Sequence, residues 1–386
     1  MSPPGDTDAP PARSPGYRQF AGPRRYVQGP GLLDRLGELV AEVGRRPVVL
    51  VDGFVHERLG ARLATAMAPP DGARSGPDAA PIVACSGEVT RANIAALVAE
   101  FGDRQSGEPF DVVVGVGGGK TLDLAKGVAI ALGAEMVTCP TIASNDGPTA
   151  RVVAVYDESH VLRELDALPW NPACVVVDTA VIAQAPVDFL RSGIGDALAK
   201  RFEARGTLAG TGLTTQGTRP LLIGRVIADG CYQVLADHAA DAVAAVAEGR
   251  LTPAVEAVVE AVVLMSGIGY ENGGLSVAHC MTRGLMAGRG TADHLHGYHV
   301  AYGLLVQLAL ERQPDQVVGE VTRLLRVVGL PTSLGELGMG DPTEAEIGAL
   351  ATATAKAPHV RNTSAEVTAA TVAAAIRSVE GWSAAR

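Results

Sequence analysis

Four of the chain's eight histidines fall within 21 residues, at His279, His294, His296 and His299. A lone histidine in an apolar helix is usually a satisfied core residue, but this density points to a metal or a proton relay. Upstream, Gly193-Ile194-Gly195-Asp196-Ala197-Leu198-Ala199 sets one carboxylate among small and apolar neighbours, where an unpaired charge is costly to bury. Asp196 reads either as a helix N-cap or as a functional carboxylate. One carboxylate and two imidazoles with an open fourth position suit a catalytic zinc.

A second chemistry-bearing stretch is Asp111 to Lys126, DVVVGVGGGKTLDLAK. A β-branched run (Val112, Val113, Val114) meets a turn rich in glycine (Gly115, Gly117, Gly118, Gly119), and a helical pattern follows. Glycines let a bulky anion approach the backbone, and the first N–H groups of the following helix point at it with the favourable end of the helix dipole. The stretch therefore reads as a phosphate or pyrophosphate cradle, with an ordinary strand-to-helix connection as the alternative. It is not a P-loop, because Val114 stands where the first glycine belongs, and Lys120 replaces the third glycine of G-x-G-x-x-G.

The elements around these groups change character along the chain. Helical spacing of Leu32, Leu33, Leu36, Leu39, Val40 and Val43 predicts a helix within Tyr26 to Val43, and Pro47 to Val51 reads as a strand with Asp52 at its end. Helix Glu57 to Met67, a Pro/Gly-rich stretch from Pro69 to Pro77, strand Pro81 to Ala84 and helix Arg91 to Phe101 lead into the glycine turn. After helix Leu122 to Leu132 come a strand at Glu135 to Thr138, the loop Cys139 to Pro148, a hairpin (Val152 to Tyr156 and Val161 to Leu165) and a strand at Ala173 to Val177. This β–α alternation predicts a mainly parallel, Rossmann-like sheet covered by helices. Beyond about Ile182 strand signals vanish and helical segments such as Ala254 to Met265 and Val300 to Glu311 take over. The expected division is a disordered Pro-rich tail over residues 1–20, an α/β domain over 21–182 and an all-helical domain over 183–386, with the site in the cleft between the last two.

Composition narrows the class. Over 386 residues, 47% apolar content supports real cores, and 4% aromatic content leaves Ala, Val, Leu and Gly to do most of the packing. A net charge of −10 argues against a nucleic-acid or anionic-membrane partner. The five cysteines are odd in number and lack metal-type pair spacing, which predicts a reduced, cytoplasmic chain. No uncharged apolar run reaches about 18 residues, and the first residues lack the pattern of a signal peptide.

Taken in order, GVGGGKTLDLAK, CPTIASNDGPT, LPWNPACVVVDT, GIGDALAKRFEA, GYENGGLSVAH and HGYHVAYGLLVQL resemble the glycerol dehydrogenases of the metal-containing (iron-type) alcohol dehydrogenase family, which shares its fold with dehydroquinate synthase. The resemblance implies Asp196, His279 and His296 as zinc ligands. Iron-dependent members carry a further His where this chain has Lys200, which favours zinc with three protein ligands. It also implies Gly117, Gly118 and Gly119 as the pyrophosphate turn, with Lys120 and Asp123 beside it in the cofactor-binding segment. Thr138, Thr141 and Ser144 match the segment along the adenine and nicotinamide path, and Asp146 the acidic residue next to the substrate. Asp52 matches the position that meets the adenosine ribose, where a carboxylate would favour NAD over NADP; its other reading is a turn residue.

The expected activity is interconversion of a polyol or secondary alcohol with its ketone or aldehyde, zinc stabilising the developing alkoxide while hydride passes to NAD. A homo-oligomer acting on a small molecule is also implied. The alternatives are a dehydroquinate synthase-like sugar-phosphate cyclase, which would usually carry Glu in place of Asp196 and a group of basic residues for phosphate, and a non-catalytic relative. The chain departs from the family pattern at Thr282, Arg283, Tyr298 and His299. Tyr298, His299 and Arg283 read either as accommodation of a larger or anionic polyol, ketone or aldehyde or as neutral surface changes.

Overall fold

The computed structural model describes residues 16–68, 80–104, 108–158 and 162–384. Within them, six strands form one parallel sheet: β1 (Arg25–Gly29), β2 (Pro47–Asp52), β3 (Ile82–Cys85), β4 (Val112–Gly117), β5 (Glu135–Pro140) and, after a separate hairpin, β8 (Cys174–Asp178). The order is β1-β8-β5-β4-β2-β3, and the antiparallel hairpin is β6 (Val152–Tyr156) with β7 (Leu162–Ala167). The valine runs are continuous because the central strands are covered on both faces. Val48 and Leu50 pack with α3 (Arg91–Arg104) and α4 (Gly119–Leu132), whereas Val49 and Val51 pack with α1 (Leu36–Ala41) and α2 (Gly53–Ala66).

One element differs from expectation. Residues 25–29 are an edge strand paired in parallel with β8, and the helical spacing that follows is divided between a 3-10 turn at Leu32–Arg35 and the short α1. Pro30 and Gly31 separate strand from turn, because neither sustains a helix interior. Asp178 at the end of β8 then fixes the turn by accepting the Gly31 and Leu33 N–H groups at 3.0 and 2.9 Å. Most of the expected Pro-rich tail, the Pro69 to Pro77 stretch and the hairpin tip at 159–161 lie outside the described residues. Ala21 is tied down, its N–H and C=O both bonded to the Asn272 side chain.

After β8, the described elements are all helices: α5 (Thr179–Ile182), α6 (Val187–Ala209), α7 (Leu222–Ala247), α8 (Pro253–Glu260), α9 (Ser266–Gly273), α10 (Val277–Leu285), α11 (His296–Leu310), α12 (Asp315–Val328), α13 (Glu344–Ala355) and α14 (Ala369–Ala384). Thr252 caps α8 ahead of Pro253, and a π turn at Ala261–Met265 joins α8 to α9. By length and composition this 21-residue rod could cross a membrane, yet its valines lie in the helical core. Val175 and Val177 of β8 enter that same core, so the last strand is the wall shared by sheet and helices. All five cysteines are buried and free.

Candidate metal and nucleotide site

Chain order reverses across the sheet between β2 and β4, and such a switch point opens a crevice beyond the C-terminal ends of the strands. Gly117 ends β4 there. A Cβ on Gly117 would lie 3.0 Å from the Asp52 Cβ and 2.9 Å from the Thr121 Cβ, so only glycine leaves this approach open. Gly118 precedes α4, whose first N–H groups no carbonyl of the helix can reach. The Thr141 N–H donates to the Gly117 carbonyl at 3.1 Å and holds the following loop against the turn.

The other residues assigned to the nucleotide are largely engaged with the protein. Asp52 accepts the Phe54 and Val55 N–H groups at 3.0 and 3.2 Å, which makes it the N-cap of α2. Lys120 is exposed at the mouth of the turn and pairs with Glu88 at 2.8 Å. Asp123 accepts from Lys126 Nζ and from the Ala154 N–H, and the buried Thr138 hydroxyl donates to the Pro148 carbonyl. The segment from Cys139 to Pro148 is bonded to the glycine turn through Thr141 and to α6 through Ser144. Lys126, fully buried, donates to the Gly147 and Val152 carbonyls and so anchors the segment that carries Asp146. On the other side, the Ser192 hydroxyl of α6 donates to the Ser144 carbonyl at 3.1 Å and accepts the Gly297 N–H at 3.0 Å. Gly297 has no side chain because a Cβ there would sit 1.7 Å from the Ser192 carbonyl oxygen. That contact sets the start of α11 against α6.

Asp196, His279 and His296 meet at this junction. Their ligand atoms lie within 4.8 Å of one another. Asp196 stands well inside α6, which rules out the N-cap reading. His279 lies on the first turn of α10 and His296 begins α11. Asp196 Oδ1 is 3.0 Å from His279 Nε2 and 4.0 Å from His296 Nε2. Both oxygens of the buried Glu203 lie 2.9 Å from His279 Nδ1, and one also accepts the Ser276 and His279 N–H groups. This carboxylate fixes the ring and turns Nε2 toward Asp196, the arrangement that orients a metal-binding histidine.

Lys200 enters the same cluster. Its Nζ lies 2.6 Å from Asp196 Oδ1, 3.2 Å from Asp146 Oδ2 and 3.3 Å from His279 Nε2. Asp146 also accepts from the Ser266 hydroxyl, on the first turn of α9 beyond the π turn, at 3.2 Å. Burial works to raise the Asp196 carboxyl, but the Lys200 ammonium and His279 outweigh it and hold it well below the usual carboxylate range. At Asp146 burial prevails over Lys200, and the carboxyl is raised. Burial alone would depress His279; the Glu203 carboxylate reverses this and raises the imidazole to about 9.

In the sequence alone Glu203, Lys126 and Ser266 do not stand out, and Lys200 does so only as the place of a missing histidine. Asp196, Lys200 and Glu203 are spaced four and three apart, so they share one face of α6. That charged stripe, set among the small residues Gly193, Ala197, Ala199 and Ala204 of α6, is the available signal.

The residues that depart from the family pattern are spent on the fold. The Thr282 hydroxyl donates to the His279 carbonyl, and Arg283 donates to the Lys356 carbonyl. The Tyr298 hydroxyl donates to Asp188, with its ring stacked on His294. His299 is buried, its Nε2 2.7 Å from the Thr291 carbonyl oxygen. Arg283 is exposed and Tyr298 half-buried, but the burial of His299 removes it from the reading of surface changes.

A family model described as iron-containing alcohol dehydrogenase matches residues 27–186. The chain is similar to a glycerol dehydrogenase of Thermotoga maritima, 36% identical over 84% of this chain and 86% of the relative. It is similar to a glycolaldehyde reductase of Halobacterium salinarum, 35% identical over 86% of this chain and 89% of the relative. Among solved structures it matches a probable glycerol dehydrogenase from Sinorhizobium meliloti 1021 with a TM-score of 0.86 and 37% identity, over 96% of this chain and 99% of the other. It also matches glycerol dehydrogenase from Schizosaccharomyces pombe with a TM-score of 0.88 and 31% identity, over 96% and 92%.

Proposed function

The chain belongs to the iron-containing alcohol dehydrogenase family, and from that premise we propose that it is an NAD-dependent polyol dehydrogenase with a zinc ion at Asp196, His279 and His296. The observation that carries the reading is the convergence of one carboxylate and two imidazoles within 4.8 Å, joined through the Cys139 to Pro148 loop to the glycine turn. The donor set fits the metal: oxygen and nitrogen ligands, three in number, with one histidine oriented by a buried carboxylate. The turn fits a pyrophosphate, because Gly117 keeps side chains away from the N-terminus of α4. When bound, the ion would polarise the substrate oxygen and the nicotinamide would take the hydride.

This chain's residues supply the rest. Glu203 holds His279 in the tautomer that leaves Nε2 bare when the ring is neutral. Ser192 fixes the spacing between α6, α11 and the loop, and thereby the distance between the two ends of the cleft. Asp146, anchored from behind by Lys126, is the group placed to accept a hydrogen bond from a second substrate hydroxyl. Asp52, while capping α2, sets a negative charge beside the turn that opposes a 2′-phosphate and favours NAD.

A screen for NADH formation over glycerol, other polyols, secondary alcohols and hydroxyketones tests the reading. Net NADH with at least one small polyol is expected. Silence on every alcohol in zinc-loaded protein would remove it.

A further inference from the structure

The fourth corner of the Asp196, His279 and His296 cluster holds a side chain of its own. Lys200 is 1% exposed, and its ammonium lies within hydrogen-bond distance of Asp196 Oδ1, Asp146 Oδ2 and His279 Nε2. His279 Nε2, the ring atom a metal would take, lies 3.3 Å from the ammonium and 3.0 Å from Asp196 Oδ1, so Nζ stands against both atoms that would share an ion. The Lys200 ammonium donates to two carboxylates and crowds Nε2, and two of these three atoms are ones the cluster would offer to an ion.

We propose that Lys200 is a resident counter-ion that competes with the divalent metal for Asp196 and His279, so that metal binds only as the ammonium withdraws toward Asp146. The proposal rests on the reading of Asp196, His279 and His296 as metal ligands. An ion at a coordination distance of about 2.1 Å from Asp196 Oδ1 would lie within about 5 Å of the present Nζ position on any side, close enough for strong repulsion in a buried site. The lysine stem is unbranched and flexible, so the ammonium can leave without moving α6. Asp146 offers it a place to go, and the face of the Tyr270 ring lies 5.9 Å from Nζ. Without metal, Lys200 neutralises buried carboxylates that would otherwise repel each other, so the metal-free site stays formed. The device therefore weakens metal binding while preserving the site for it.

The test compares zinc affinity in the full chain stripped with chelator, titrating Zn2+ alone against a chromophoric chelator. Lys200→Met removes the charge, and Lys200→Gln removes it while keeping a hydrogen-bond donor. Both are expected to bind Zn2+ at least about tenfold more tightly than wild type, because the repulsion is gone. Equal or weaker binding in a folded variant overturns the proposal. Asp196→Asn is the control for the underlying reading: if it binds Zn2+ as wild type does, the ligand assignment fails and the proposal falls with it. If Asp196→Asn loses binding while wild type and the Lys200 variants agree, only the proposal fails. Should neither lysine variant fold, the structure of zinc-loaded wild type decides: the Lys200 Nζ must have left hydrogen-bond distance of Asp196, and an ammonium still bonded there beside the ion overturns the proposal.

Discussion

At the sheet end of the proposed site, the groups proposed to meet the nucleotide are backbone, while the nearby side chains serve the fold: Asp52 caps a helix, Asp123 braces Lys126 and Thr138 holds Pro148. At the helical end the reverse holds. Asp146, Asp196, Lys200, Glu203 and His279 form one continuous buried network of ionisable side chains, and the backbone mainly sets their spacing. The sheet end should therefore be sensitive to added bulk and tolerant of lost polar groups. The helical end should be sensitive to the loss of any single charge, because each leaves a buried partner unpaired.

The largest effect expected from this contrast is at Asp196. Asp196→Ala should abolish metal binding and lower turnover on the order of 10³-fold or more, with nucleotide binding retained, as read by metal content and NADH fluorescence. Loss of both ligands together would break the separation between the two ends. Gly117→Val is the converse change, expected to weaken NADH binding about 100-fold through a displaced turn while metal content stays at wild-type level. Glu203→Gln should cost about 10- to 100-fold in metal affinity by loosening His279, and unchanged affinity would show that the ring needs no such support.

Asp52→Ala sharpens the comparison at the sheet end. Loss of the α2 cap should cost about 1 kcal/mol in denaturant unfolding. The preference for NAD over NADP should narrow, and a constant ratio would reduce Asp52 to its cap.

The smallest effect concerns His299, which burial holds below its ordinary pKa of 6.5 while its Nε2–H donates to the Thr291 carbonyl. The unfolded chain takes up a proton at this ring as pH falls through about 6.5, and the folded chain resists it, so stability declines below that pH. His299→Asn should lose less of its thermal stability than wild type between pH 7.5 and 5.5; an equal loss would assign the effect to other groups.

Legibility in the sequence divides along the same line. The glycine turn, the β–α alternation and the histidine cluster are local patterns, visible because glycine, periodicity and residue density act over a few positions. Residues 25–29 do not stand apart from the helical spacing beside them, since their strand identity comes from pairing with β8, about 150 residues on. Asp196, His279 and His296 could be joined only by resemblance, because α6, α10 and α11 converge through packing. Glu203, Lys126 and Lys200 are illegible as partners for a related reason: charge on a helix ordinarily means a solvated face, and burial overturns that default.

NADH formation from glycerol or another accepted polyol, measured before chelator treatment, after it and after return of Zn2+, joins the two ends in a single reading. The rate should fall with the metal and come back with it, in step with Zn2+ bound per chain and only while Asp196 is intact. Undiminished NADH formation by fully metal-free protein would contradict the account.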